Sequence, residues 1–218
     1  MKYMIHSCLQ RQWYVEKYLL PSMLEQGIDS HNIIVWEDVE NIGCLRSFIS
    51  SIKFLVESDE IGMWHLQDDV ILSPFFKLIT ERIPLGDIVC GFCPSINEDD
   101  SYGRVNVEKM WYSFPCIFIP SFVAEDFYDW YLNDAEKDPM CKHWISENKF
   151  DDSLFHRFLE QYEYRIPIFN VKPNIVDHVD FLIGGSIVNH IRSFDMRAKY
   201  WYHNDLVKEL EEKINADK

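Results

Sequence analysis

The spacing of apolar positions along this chain switches repeatedly between short continuous runs and a helical period. KYMIHSC, NIIVWED, GMWHL, DIVCGFC, FPCIFIP and YRIPIFNVKP are short and apolar, and read as strands. Between them RQWYVEKYLLPSMLEQG reads as a helical stretch interrupted at Pro21 and closed by Gly27 in a C-cap position. CLRSFISSIKFLVES places Leu45, Phe48, Ile49, Ile52, Leu55 and Val56 at helical spacing. SPFFKLITERI opens a helix with Ser73 as N-cap and Pro74 at the first helical position. SFVAEDFYDWYL and DDSLFHRFLEQY are amphipathic helices, and NDLVKELEEKINA a terminal, largely solvated one. Strand and helix alternate from the N-terminus, which predicts an α/β fold with a mixed, mainly parallel central sheet flanked by helices. The polar stretch from Asn97 to Lys109 reads as a mobile loop. No repeat, low-complexity tract or linker divides the 218 residues, so one domain is expected.

Within this pattern WHLQDDV is odd, because Asp68 and Asp69 follow directly on an apolar strand. Burying an unpaired charge costs several kcal/mol, so such carboxylates are solvated, ion-paired or metal-bound. The carboxyl end of a strand in a parallel sheet is also where ligands bind. Oxygen ligands there suit a hard divalent cation such as Mg²⁺ or Mn²⁺, which in turn suits a diphosphate. The same pair could instead cap the following helix or face water.

Composition narrows the options. Hydrophobic residues make up 47% and aromatics 15%, as in a globular protein. The net charge of −15, from 21 basic and 36 acidic residues, argues against a uniform field for nucleic acid or anionic membrane, while leaving room for a local basic patch. The start of the chain lacks a signal-peptide core, and no apolar run approaches the length of about 18 residues needed to span a bilayer. A soluble, cytoplasmic protein is expected. Cys8, Cys44, Cys90, Cys93, Cys116 and Cys141 mostly sit in apolar runs and read as reduced. VCGFCP has redox-motif spacing, but PSINEDDSYG is a poor helix to follow it.

An apolar strand, an acidic pair and VILSPFF together resemble the EDD motif and following helix of GT-A (Rossmann-like) glycosyltransferases, notably the N-acetylglucosaminyltransferase I and bacterial lipooligosaccharide types. The resemblance implies that Asp69 approaches the metal and the nucleotide-sugar phosphates, with Asp68 beside it; Gln67 stands where the family has glutamate. NIGCLRSF resembles the segment lining the nucleotide pocket, with Gly43 allowing close backbone approach and Arg46 meeting a phosphate or lying on a solvated face. FDDSLFHRFL resembles the late acidic pair where inverting members place their base. Asp152, or its neighbour Asp151, would take the acceptor proton, while one of them acts as an N-cap. PNIVDHVDFLIGGSIVN resembles the loop supplying a further metal ligand: His178, with Asp177 and Asp180 to orient its ring and Gly184, Gly185 and Ser186 to contact a phosphate. The resemblance runs from Met1 to Asn189 and divides the domain into a nucleotide-sugar half, residues 1–93, and an acceptor half, residues 94–218.

The activity thus implied is transfer of a sugar from a nucleotide-diphosphate sugar to a hydroxyl acceptor, with Mn²⁺ or Mg²⁺. WHLQDDV and DHVDFLIGGSIVN also resemble small bacteriophage-encoded glycosyltransferases. IRSFDMRAKYWYHN groups Arg192, Arg197 and Lys199 with Tyr200, Trp201 and Tyr202, so the acceptor is either a glycan or a modified, hydroxymethylated DNA base. The alternatives are a segment whose aromatics dock on the core, a metal-dependent phosphoesterase, and a non-catalytic nucleotide-binding protein.

Overall fold

Side chains alternate strictly across the strands. Tyr3 and Ile5, with Trp64 and Leu66, enter one buried cluster, while Met4 and Met63 enter another on the opposite face. A sheet covered on both sides follows. The computed structural model of the protein describes residues 1–40, 42–93, 103–104, 114–161, 168–184, 197–198 and 201–217. Its strands are β1 (Lys2–Cys8), β2 (Ile33–Asp38), β3 (Gly62–Gln67), β4 (Val70–Leu72), β5 (Ile88–Cys90), β6 (Gly103–Arg104), β7 (Cys116–Pro120), β8 (Ile168–Asn170) and β9 (Val176–His178). Its α-helices are α1 (Gln12–Tyr14), α2 (Leu20–Glu25), α3 (Cys44–Val56), α4 (Phe76–Thr80), α5 (Ser121–Asn133), α6 (Pro139–Glu147), α7 (Asp151–Gln161) and α8 (Asn204–Ala216).

Among the described residues, seven strands form the main sheet in the order β2-β1-β3-β7-β5-β8-β6. Pairing is parallel from β2 through β1 to β3 and between β5 and β8, and antiparallel at both faces of β7 and at β6. Five of the seven therefore point one way, as the alternation of strand and helix predicted. The helical segment from Gln12 to Glu25 and the stripe Val207, Leu210 and Ile214 of α8 cover one face; α3, α5 and α7 cover the other. The terminal helix is thus docked by that stripe and otherwise largely solvated, as its pattern predicted.

Three local expectations change. Pro21 does not interrupt its helix: a π-helical turn, Val15–Leu19, joins α1 to α2 just before it, and Pro21 sits in the first turn of α2, where a missing N–H costs little. Gly27 does close the helix, at φ 77°, with the amides of Gly27 and Ile28 bonded to the carbonyls of Leu24 and Met23. Second, Ser73 caps a turn, its Oγ accepting from the Phe75 amide at 3.1 Å, and α4 starts only at Phe76. Third, Val70–Leu72 is not the lead-in to a helix. It forms β4, which pairs antiparallel with β9 in a separate two-stranded sheet. None of the six cysteines is in a disulfide, and Cys90 ends a strand rather than opening a helix. The Asn97–Lys109 stretch lies outside the described residues apart from the backbone of β6.

Candidate active site

The carboxyl ends of β1, β2 and β3 lie side by side, with Cys8 opposite Asp38 and His6 opposite Gln67. Asp68 and Asp69 leave β3 at this edge and are 7% and 5% exposed. Two adjacent buried carboxylates require cations beside them. The first is Arg11, whose amide turns back onto the Cys8 carbonyl at 3.0 Å. Its Nη1 donates to Asp68 Oδ1 at 3.0 Å and also to Asp69 Oδ2. The Cys8 amide donates to Asp68 Oδ2 at 3.1 Å.

The second is His178, from more than a hundred residues later in the chain. The β4–β9 ladder delivers it, pairing Val70 with His178 and bonding the Val179 amide to the Asp69 carbonyl at 2.8 Å. His178 Nε2 then lies 3.0 Å from Asp69 Oδ2, and Nδ1 lies 3.3 Å from Asp180 Oδ1. Burial opposes a charged imidazole, yet the Asp69 charge and the hydrogen bonds to Asp180 and Asp69 outweigh it and raise its pKa to about 9. Burial likewise opposes a charged Asp69, but His178 and Arg11 hold its carboxyl well below the usual range. Asp68 is pushed up to about 6 by burial and by the Asp69 charge. Asp69 Oδ1 is buried and accepts no hydrogen bond among the described residues.

Asp177 does not orient the His178 ring. It is fully buried on β9, where its Oδ1 accepts from the amides of Ala198 at 2.7 Å and His178 at 2.9 Å. Its Oδ2 accepts from Arg197 Nε at 2.6 Å and pairs with Nη2. The segment at Arg197 and Ala198 is thereby fastened to β9. Of the basic and aromatic cluster, Arg197 is committed to this pair and stacks over Phe181 at 5.3 Å, Trp201 is buried, and Tyr202 is exposed. Arg192, Lys199 and Tyr200 lie outside the described residues, as do Gly185 and Ser186. Gly184 has φ 108°.

A second group forms at the amino end of α3, which follows β2. The Asp38 carboxylate accepts from the amides of Ile42 at 2.6 Å and Gly43 at 2.8 Å. Gly43 has φ 92°, and a Cβ there would collide with the Asn148 side chain, so the close approach that this glycine permits is made by Asn148. Asn148, left-handed at φ 54°, accepts from the Arg46 amide at 2.9 Å and donates to the Ile42 carbonyl. It caps α3 from a distant part of the chain, while the Arg46 side chain is exposed. Asn148 also ends α6 and leads through Phe150, at φ 63°, into α7. Neither Asp151 nor Asp152 is the N-cap: both lie in the first turn of α7, and the Phe150 carbonyl accepts the Leu154 amide at 2.9 Å. Asp152 Oδ1 accepts from the Ser153 amide at 2.7 Å, whereas the Asp151 carboxyl is pushed up to about 7 by burial and by the Asp152 charge.

The structure therefore joins Asp68, Asp69, His178 and Asp180 in one cluster. Asp151 and Asp152 lie close enough to Cys44, the first residue of α3, for their charges to raise its thiol, while Asn148 is what touches Gly43 and Arg46. Arg11 and Asn148 are the residues that sequence reasoning missed. Arg11 had a usable signal, since it follows the strand that neighbours the acidic one at the same sheet edge; Asn148 had none.

No protein-family profile matches the sequence, and no curated protein matches it. Among solved structures, the chain is similar to the galactosyltransferase LgtC in complex with donor and acceptor sugar analogs. The TM-score is 0.51 at 12% identity, over 98% of this chain and 96% of that one. It is less similar to an inositol-1-phosphate CTP transferase from T. maritima (TM-score 0.46, 11% identity, 98% and 95% covered). A Drosophila β-1,4-galactosyltransferase 7 mutant complexed with manganese, UDP-Gal and xylobiose scores 0.44 at 10% identity, with 97% and 79% covered. The likeness to LgtC is one of fold: a single mixed α/β domain with a mainly parallel central sheet, of the GT-A, Rossmann-like kind. Among the described residues, no helix is long and apolar enough to cross a membrane.

Proposed function

We propose that the chain is a metal-dependent transferase that moves a sugar from a nucleoside-diphosphate sugar to a hydroxyl acceptor. The observation that carries this reading is the meeting of His178 with Asp69 at the ligand-binding edge of the sheet. A divalent cation fits these residues. Asp69 Oδ1 is a buried acceptor without a hydrogen-bond partner among the described residues, and Asp180 stands behind the His178 ring as carboxylates stand behind metal-binding imidazoles. Asp69 and His178 would hold the cation, Mn²⁺ or Mg²⁺. Among the described residues no group of three His, Cys, Asp or Glu side chains could hold a metal, so diphosphate oxygens and water would have to supply the remaining ligands, as is usual for Mg²⁺. When bound, the cation neutralises charge on the departing diphosphate.

The chain's own groups do the rest. Asp68 holds Arg11 beside the pair, while Gln67, at the end of β3, offers a neutral amide to hydroxyls. Arg46, exposed in the first turn of α3, is the candidate to meet the nucleotide in this reading, and the phosphate role of Gly43, Gly184, Gly185 and Ser186 stays what the resemblance implies. The base role falls to Asp151 rather than to the Asp152 that the sequence alone favoured, because a base works best with a pKa near the working pH. The transfer rate is then expected to rise with pH around a midpoint near 7. Asp152→Asn should move that midpoint to lower pH, since the charge that raises it is gone. Asp151→Asn should lower transfer about 10²–10⁴-fold while donor binding persists. A pH-rate profile flat from 5 to 8, or full activity in Asp151→Asn, rejects the assignment.

Thermal unfolding with UDP, GDP, CDP and ADP, each with and without Mn²⁺, tests the reading as a whole. A ligand at 100 times its Kd stabilises by about 2.7 kcal/mol. One nucleotide is expected to stabilise only with metal, and no metal-linked shift for any of them rejects the proposal. A second reading, nucleotide binding without turnover, draws on Arg11, which already neutralises the aspartates. Metal-independent nucleotide stabilisation without transfer would favour it.

A further inference from the structure

We propose that Arg11 is a displaceable counter-cation of the aspartate pair: it sits on the Asp69 carboxylate that a divalent cation would share, so metal binds tightly only together with a diphosphate. The inference rests on the assignment of Asp69 and His178 as the metal-holding pair.

Arg11 is 5% exposed, and one of its nitrogens contacts both carboxylates. Asp69 Oδ2 is shared between that nitrogen and His178 Nε2, while Oδ1 accepts no hydrogen bond among the described residues. A cation entering at Asp69 therefore meets a second positive charge within a few ångströms, in surroundings that screen it poorly. Histidine can give up its proton to admit a metal. Arginine cannot, so its guanidinium has to move.

The Arg11 backbone lies between β1 and α1, and displacement of its side chain is energetically conditional. Away from the aspartates, a buried guanidinium needs another anion. A diphosphate presents the oxygen pairs that the planar fork binds in bidentate fashion. Binding of the diphosphate thus frees Asp69 for metal, and metal without diphosphate must work against Arg11.

Isothermal titration with Mn²⁺ alone, inorganic pyrophosphate alone and preformed Mn²⁺–pyrophosphate tests this in the wild type, Arg11→Met and Asp69→Asn. In the wild type, Mn²⁺ is expected to bind at least tenfold more tightly with pyrophosphate than alone. Arg11→Met should bind Mn²⁺ alone at least tenfold more tightly than the wild type, and Asp69→Asn should abolish Mn²⁺ binding in both backgrounds. Should Arg11→Met unfold in chelator, Mn²⁺ is expected to restore its cooperative melting by replacing the lost cation; failure of that rescue overturns the proposal. Equal Mn²⁺ affinity in the wild type and Arg11→Met, abolished by Asp69→Asn, rejects the role of Arg11 and leaves the metal site standing. No Mn²⁺ binding to either protein, with or without pyrophosphate, rejects the metal site and this proposal together.

Discussion

Asp69→Asn is expected to erase the metal-linked stabilisation by a nucleoside diphosphate and to lower sugar transfer on the order of a thousandfold or more. In the wild type that stabilisation is about 2.7 kcal/mol at 100 times Kd, or about 5–10 °C in Tm for a chain of this size. The substitution keeps the shape of the side chain but removes the charge that Arg11 and His178 share. Near-UV circular dichroism should therefore change little while the ligand effect disappears. Asp68→Asn is the informative contrast. Asp68 is pushed up to about 6 by burial and by its neighbour, and is held by the Cys8 amide as well as by Arg11, so neutralising it alters less. It should reduce the metal-linked shift without abolishing it. If Asp69→Asn retains the full shift, Asp69 is only the counter-ion of Arg11 and His178, and the transferase reading falls.

The sheet was legible because its strands are short apolar runs separated by helix-period segments, and that pattern follows from burial on both faces. The aspartates were legible because charge after an apolar strand is anomalous. What local pattern could not provide was the partnership between distant segments. Val70–Leu72 and Val176–His178 are three-residue strands, too short to show a period, yet their register is what sets His178 against Asp69. The role of Asp177 was misread for the same reason. Neighbours in a strand point to opposite faces, so Asp177 faces away from the ring of His178 and into the pair with Arg197. Asn148 could not have been found from its surroundings in sequence, because the helix it caps lies a hundred residues earlier. Pro21 was read as a break because the π-turn that accommodates it leaves no mark on the hydrophobic pattern.

The largest expected loss of stability comes from that same misread residue. Asp177→Ala removes a fully buried carboxylate that accepts from two backbone amides and from both ends of the Arg197 fork. Breaking a buried pair by deleting one partner costs about 3–5 kcal/mol, because the other charge and the amides are left without acceptors. For a domain of this size the melting temperature should fall by on the order of 10 °C. The damage should not be confined to stability. Asp177 pairs across the ladder with Ile71 and is followed by His178, so a loosened β9 also withdraws the imidazole from Asp69. Metal-linked stabilisation by a nucleotide should weaken in Asp177→Ala although no metal-holding side chain has been touched. Arg197→Met and the double substitution complete the test. If the ion pair carries the effect, the double loses less than the sum of the two singles, by a coupling of about 0.5–3 kcal/mol. Additive losses, or an Asp177→Ala melting point within a degree or two of the wild type, would show that β9 is held by its ladder alone. The position of His178 would then owe nothing to the fastening at Arg197.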